Sequence, residues 1–175
     1  MNGEREFQPL QAVLITEAFT AEGVEFLFLG KSGAILLGFP GITQDVDLFV
    51  EKSQANGQRV LAALEKLSFP VTDEAKGDIL RGKDFVQIKT GPFDLDLIFA
   101  PDGIDSFEKA RGRRILHGGK YPVASLGDII ASKRAAGRDK DLKDLPLLEE
   151  FKEAYERLNP RPLRNSWEIN RDETK

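Results

Sequence analysis

Apolar and polar positions along this chain alternate between two periods, one near 3.6 and one of 2. Residues 8–21 carry Leu10, Val13, Leu14, Ala18 and Phe19 at near-helical spacing, which predicts an amphipathic helix closed by Gly23. The run Phe26-Leu27-Phe28-Leu29 is apolar throughout and predicts a buried strand. Residues 32–37 predict a short helix, broken by Gly38, Pro40 and Gly41. Residues 44–50 predict a strand that turns Val46 and Leu48 into a core and sets Asp45 and Asp47 together on its other face. Ser53 is expected to cap a helix with Val60, Leu61, Leu64 and Leu67 as its buried stripe. Residues 84–89 and 93–99 both alternate with period 2 across Gly91-Pro92, which predicts a hairpin.

Beyond Pro101 the signals weaken until residues 115–116 and 121–123, short edge strands around Gly118-Gly119. Ser125 then opens a helix through Leu126, Ile129 and Ile130, interrupted at Gly137. A second helix starts at Asp139 or Lys140, runs through Leu142, Leu145, Leu148, Phe151 and Tyr155, and stops at Pro160. The expected fold class is therefore α/β or α+β, a mixed sheet flanked by helices with a C-terminal helical pair. Its expected divisions are a core over 1–124, a helical segment packed on it over 125–159, and a polar tail over 160–175.

Composition narrows the chemistry. At 175 residues the chain fits one domain with a sizeable core. It has no cysteine and a single histidine, which excludes disulfides, a thiolate zinc site, a Cys nucleophile and an imidazole-rich metal site within one chain. Any metal would be held by carboxylates, a donor set that selects hard ions such as Mg²⁺ or Mn²⁺. No apolar run reaches the roughly 18 residues that span a bilayer, and the first six residues lack a secretory pattern. The expected setting is the cytoplasm, with no membrane partner. The formal net charge is -4, yet the stretch 109–140 gathers Arg111, Arg113, Arg114, Lys133, Arg134 and Arg138. Such a face suits a polyanion or a triphosphate, and equally a solvated helix surface.

Two carboxylates on one strand face repel unless a cation lies between them, so Asp45 and Asp47 ask for a divalent metal. Upstream, Gly30-Lys31-Ser32 echoes the end of a Walker A loop, but that loop needs glycine where this chain has Glu25. What remains is a glycine turn ahead of a helix, a place where backbone N–H groups can meet phosphate. Taken alone it is also an ordinary turn with Ser32 as a cap.

The order Gly30, Gly38, Thr43, Asp45-Val46-Asp47, then Phe93-Asp94-Leu95-Asp96-Leu97-Ile98, resembles the DNA polymerase β-like nucleotidyltransferase superfamily. The nearest likeness is to its small prokaryotic branch of toxin–antitoxin and phage-defence nucleotidyltransferases, over roughly residues 24 to 100. The resemblance implies that Gly30, Lys31 and Ser32 form the turn that grips a nucleoside triphosphate. It implies Asp45 and Asp47 as ligands of Mg²⁺ or Mn²⁺, with Asp96 (or Asp94, on the same face) as the third acid. Lys133-Arg134-Ala135-Ala136-Gly137-Arg138-Asp139-Lys140-Asp141 resembles the family's C-terminal segment, which implies Lys133 on the triphosphate and Lys140 and Asp141 nearby. The departure is Lys31, which stands where the family turn has glycine or serine.

The implied activity is two-metal transfer of a nucleoside monophosphate from an NTP to a hydroxyl, with Asp96 as shared ligand and base. The acceptor would be an RNA end such as that of tRNA, or a protein side chain, and a co-encoded toxin or antitoxin would be the partner. The alternative is a catalytically impaired binding module, an antitoxin or nucleotide sensor. His117 is expected to be only a turn residue. Tyr155 and Trp167 are more simply packing residues than base-stacking ones.

Overall fold

The computed structural model describes residues 6–160. The expected tail from 161 onward, Trp167 and the first five residues lie outside that range. Six strands form one sheet: β1 (Phe26–Leu29), β2 (Asp45–Val50), β3 (Phe85–Ile88), β4 (Asp94–Ile98), β5 (Ile115–His117) and β6 (Tyr121–Val123), in the order β3-β4-β2-β1-β6-β5. The sheet is mixed. β1 pairs antiparallel with β2 and parallel with β6, β2 pairs parallel with β4, and the β3–β4 and β5–β6 pairs are antiparallel. Among the described residues seven helices flank it: α1 (Pro9–Ala21), α2 (Gly30–Leu36), α3 (Gln54–Lys66), α4 (Asp73–Arg81), α5 (Phe107–Arg113), α6 (Leu126–Ala136) and α7 (Asp139–Leu158). The mixed sheet and the C-terminal helical pair match the expected class.

Strand burial follows the alternation in the sequence. On β2, Val46 and Leu48 are buried while Asp45 and Asp47 are half-buried on the other face. On β3, Val86 and Ile88 point inward and Phe85 and Gln87 outward. Phe28, Leu48, Leu95 and Leu97 of the sheet, with Phe19, Leu64, Ile129 and Leu148 of the helices, are all but fully buried. This core fixes the register, because a one-residue slip of β2 would exchange its apolar and acidic faces.

Two helices escape the periodicity. α4 and α5 each bury one residue, Ile79 and Ala110, so neither makes an apolar stripe. Their ends carry the signal instead. Thr72 and Ser106 accept hydrogen bonds from the N–H groups of Ala75 and Lys109, and Gly82 closes α4 in the left-handed conformation. α2 also begins earlier than its apolar residues suggest, directly at Gly30.

A buried amide locks the end of the sheet away from the acids. Asn56, fully buried, accepts from the Glu25 N–H at 2.9 Å and donates to the carbonyls of Glu25 (3.1 Å) and Glu51 (2.9 Å). It thereby ties α3 to the start of β1 and the end of β2. Ser53 caps α3 through the Asn56 N–H. At the C-terminal side, α6 packs on α2 and α7, which brings the charged α6–α7 junction over the ends of β1 and β2. α7 contains Pro146 within its length.

Candidate active site

Parallel pairing of β2 and β4 places Asp45 beside Asp94 and Asp47 beside Asp96, so four acids share one sheet face. Asp45, Asp47 and Asp96 line a cavity of about 400 Å³; Asp94 is not among its lining residues. Asp96 is the deepest of them at 6% exposed.

The acids are strongly coupled. Burial pushes the Asp47 carboxyl well above the usual carboxylate range, and the Asp96 charge, a hydrogen bond to Asp96 and the Asp45 charge push the same way against Lys133. Asp96 is raised too, first by burial and then by Asp45, with Gln87, Asp47 and Lys89 opposing.

The glycine turn and the acidic strand interlock. Gly30 has φ +62°, and a Cβ there would lie 2.1 Å from Asp47 Oδ2. The missing side chain thus makes room for the Asp47 carboxylate at the start of α2. Ser32 is fully buried: its hydroxyl donates to the Leu29 carbonyl at 3.0 Å and accepts from the Asp47 N–H at 3.1 Å. With its bonding directed inward, Ser32 sits behind the acids and positions Asp47 instead of lining the cavity.

Lys31 does line the cavity. Its stem runs past Gly41, whose added Cβ would come within 3.1 Å of Lys31 Cε, and its ammonium lies 3.5 Å from Asp144 Oδ2. The lysine that replaces the expected small residue is therefore drawn away from the turn toward α7.

Across the cavity from the acids stands a cationic wall. Lys133 of α6, only 11% exposed at its side chain, lies 3.4 Å from Asp141 and 3.7 Å from Asp144. Arg138, at the N-cap of α7, donates from Nε to Asp141 Oδ2 at 2.7 Å. Its guanidinium is raised further above its ordinary value by Asp141 and by the fields of Asp47 and Asp96. Asp141 is buried, and although burial alone would raise it, Arg138 and Lys133 hold its carboxyl below the usual range. Asp141 and Asp144 thus anchor three cations from three elements, and Lys140 adds a fourth at the rim.

The turn, the acidic pair, Asp96, Lys133, Lys140 and Asp141 are brought together here, with Ser32 behind them. Arg138, Asp144, Gln87 and Phe85 join the cavity without having been singled out for it. For Gln87 a signal existed: the hairpin alternation puts it on the polar face, and pairing sets it opposite Asp96. His117 lies on β5, the far edge of the sheet from β3 and β4. Tyr155 packs against Phe151, ring centroids 5.9 Å apart.

A divalent cation suits this donor set on one direct observation: Asp96 Oδ1 is buried and has no hydrogen-bond partner. The donors are hard oxygens, as Mg²⁺ or Mn²⁺ requires. Among the described residues, however, no three acidic or imidazole side chains are already gathered around one point. Also among the described residues, no helix is long and apolar enough to cross a membrane. No protein-family model matches the chain, and no curated protein matches it.

Proposed function

We propose that the protein is a metal-dependent nucleotidyltransferase that moves a nucleoside monophosphate from an NTP to a hydroxyl on an RNA end or a protein side chain. One observation carries this reading. Two carboxyls raised by burial, Asp47 and Asp96, face a wall of anchored cations across a cavity of about 400 Å³. Acids alone would suit many cation sites, and cations alone many anion sites. Opposed across one cavity, they suit a metal-bound polyphosphate.

Asp45, Asp47 and Asp96 would hold Mg²⁺ or Mn²⁺, which would supply charge neutralisation at the phosphates and a more acidic acceptor hydroxyl. Lys133 and Arg138 meet the triphosphate as it gains charge, and Asp141 keeps both aimed. Asp96 takes the proton of the acceptor hydroxyl. The acceptor oxygen bonds to the α-phosphorus, the bond from that phosphorus to its bridging oxygen breaks, and pyrophosphate leaves with the electron pair. An NTP-fed reaction of this kind belongs in the cytoplasm.

The test is thermal stability against Mg²⁺ with each of the four NTPs. A Tm rise that needs both metal and nucleotide, and that Asp45→Asn and Asp47→Asn abolish, is the expected result. No shift with any NTP would rule the reading out. Lys31, which lines the cavity where the turn is expected to carry a small residue, favours a second reading, a nucleotide-binding antitoxin or sensor without catalysis. Labelled α-phosphate transfer to total tRNA or to a co-encoded protein, with pyrophosphate release, separates the two.

A further inference from the structure

The cavity is not symmetric about its acids. Its cations come from α2, α6 and α7, on the β1–β2 side of Asp96. On the other side, toward the β3 edge, the lining changes to Phe85, Gln87 and Ile98. Pairing sets Phe85 opposite Ile98 and Gln87 opposite Asp96, so an aromatic-aliphatic shelf lies directly beyond the third acid. Sheet spacings put Phe85 one strand across and two residues along from Asp96, roughly 8 Å. That distance is on the scale of one nucleoside.

Phe85 is 46% exposed, although a phenyl ring on a sheet face would ordinarily be covered. It is also shared between two cavities. The second, about 720 Å³, continues past it over the β3 edge and is lined by Lys52, Arg81, Lys83 and Asp84. Arg81 and Lys83 both pair with the single carboxylate of Asp78, so the groove keeps net positive charge. A basic groove that ends on an exposed aromatic ring is the arrangement by which proteins hold single-stranded nucleic acid, backbone on cations and base on ring.

We propose that Phe85 is the stacking platform for the terminal base of a single-stranded polynucleotide acceptor, whose backbone follows Lys52, Arg81 and Lys83 and whose end hydroxyl reaches Asp96. This rests on the nucleotidyl-transfer reading and selects, between its two acceptors, the nucleic-acid end. The phosphates of the donor NTP go to the opposite wall, where Lys133 and Arg138 stand. Gln87 offers an amide that can both donate to and accept from a base edge. A protein acceptor would have no use for a basic groove leading to the ring.

The experiment uses a short mixed-sequence RNA with 2-aminopurine at its 3′ end, titrated with the full-length protein without NTP. The expected result is quenching of the terminal probe, with binding weakened about tenfold or more by Phe85→Ala and kept by Phe85→Trp. Arg81→Gln with Lys83→Gln is expected to flatten the salt dependence of the same binding. Mg²⁺-NTP stabilisation is read separately on the unmodified protein and on Phe85→Ala. Absence of RNA binding by the unmodified protein overturns the proposal, as does equal binding by Phe85→Ala. Loss of NTP binding in Phe85→Ala with RNA binding intact would assign the ring to the donor base and overturn it too. Failure of the underlying reading is distinguishable, since it removes the NTP response of the unmodified protein.

Discussion

A Cβ on Gly30 would stand 2.1 Å from Oδ2 of Asp47, so the turn residue and the acid occupy one space between them. The glycine serves the carboxylate directly. Gly30→Ala is expected to strain a backbone at φ +62° and to push Asp47 out of the cavity. We expect a stability loss of about 1–3 kcal/mol in urea unfolding, together with loss of Mg²⁺-dependent NTP stabilisation.

The pH dependence has a defined sign. Asp47 and Asp96 are both raised in the folded protein, so the fold binds their protons more tightly than the unfolded chain does. Stability from this source is complete below the ordinary carboxylate range and is lost as pH rises through the raised folded values. Without metal, Asp47→Asn is therefore expected to raise Tm at neutral pH by about 2–4 °C, because a neutral amide relieves first the burial of charge and then its repulsion from Asp96 and Asp45. Adding Mg²⁺ should stabilise the unmodified protein and leave the variant unmoved. Thermal scans across pH, with and without Mg²⁺, check both.

Asp141 is buried between Lys133 and Arg138. Asp141→Ala removes the group that aims both cations. Discounted for the exposure of Arg138, the expected loss is about 1–3 kcal/mol. The triphosphate is expected to suffer more than the fold, so NTP affinity should fall by at least an order of magnitude while helical circular dichroism is retained.

Asn56 supplies the contrasting case. Its three hydrogen bonds lie at the opposite end of β1 and β2 from the acids. Asn56→Leu is expected to cost about 2–4 kcal/mol, because the Glu25 N–H and the Glu51 carbonyl lose their partner, while the Glu25 carbonyl keeps only the Glu51 N–H. In the cold, where the variant remains folded, its NTP response should be normal. Denaturant unfolding beside NTP titration distinguishes this from a site lesion.

For the third acid, pairing separates residues that alternation could not. Asp94→Asn is expected to leave NTP-dependent metal binding within a few-fold, since Asp94 does not line the cavity, while Asp96→Asn abolishes it. Isothermal titration with Mn²⁺ and nucleotide compares them.

What the sequence made legible followed from period. Val46 and Leu48 against Asp45 and Asp47 specified a strand and its buried face at once, and the 84–99 hairpin emerged in the same way. Ser32 shows the limit. Its place in a glycine turn was visible, but whether its hydroxyl faced a ligand or the Asp47 N–H depended on where β2 came to lie. Phe85 had no signal of its own, Gln87 only its place on the polar face of the hairpin, and Arg138 only its membership of a basic stretch. An exposed polar residue and a cavity-lining one look alike until neighbouring strands and helices close around them. α4 and α5 were hidden because one buried residue makes no stripe, although their capping residues stood in the sequence.

Pro146 gives α7 two unequal halves. Having no N–H, it leaves the Leu142 carbonyl without its helical partner, just past the turn that bears Asp141 and Asp144. Beyond it, Leu148 and Phe151 bind the helix to the core. The residues that brace the cationic wall thus share one helix with those that bind it to the core, and Leu145 packs into that core on their own side of Pro146. Charge at the cavity and packing on the core can then be altered by separate sets of substitutions within one helix.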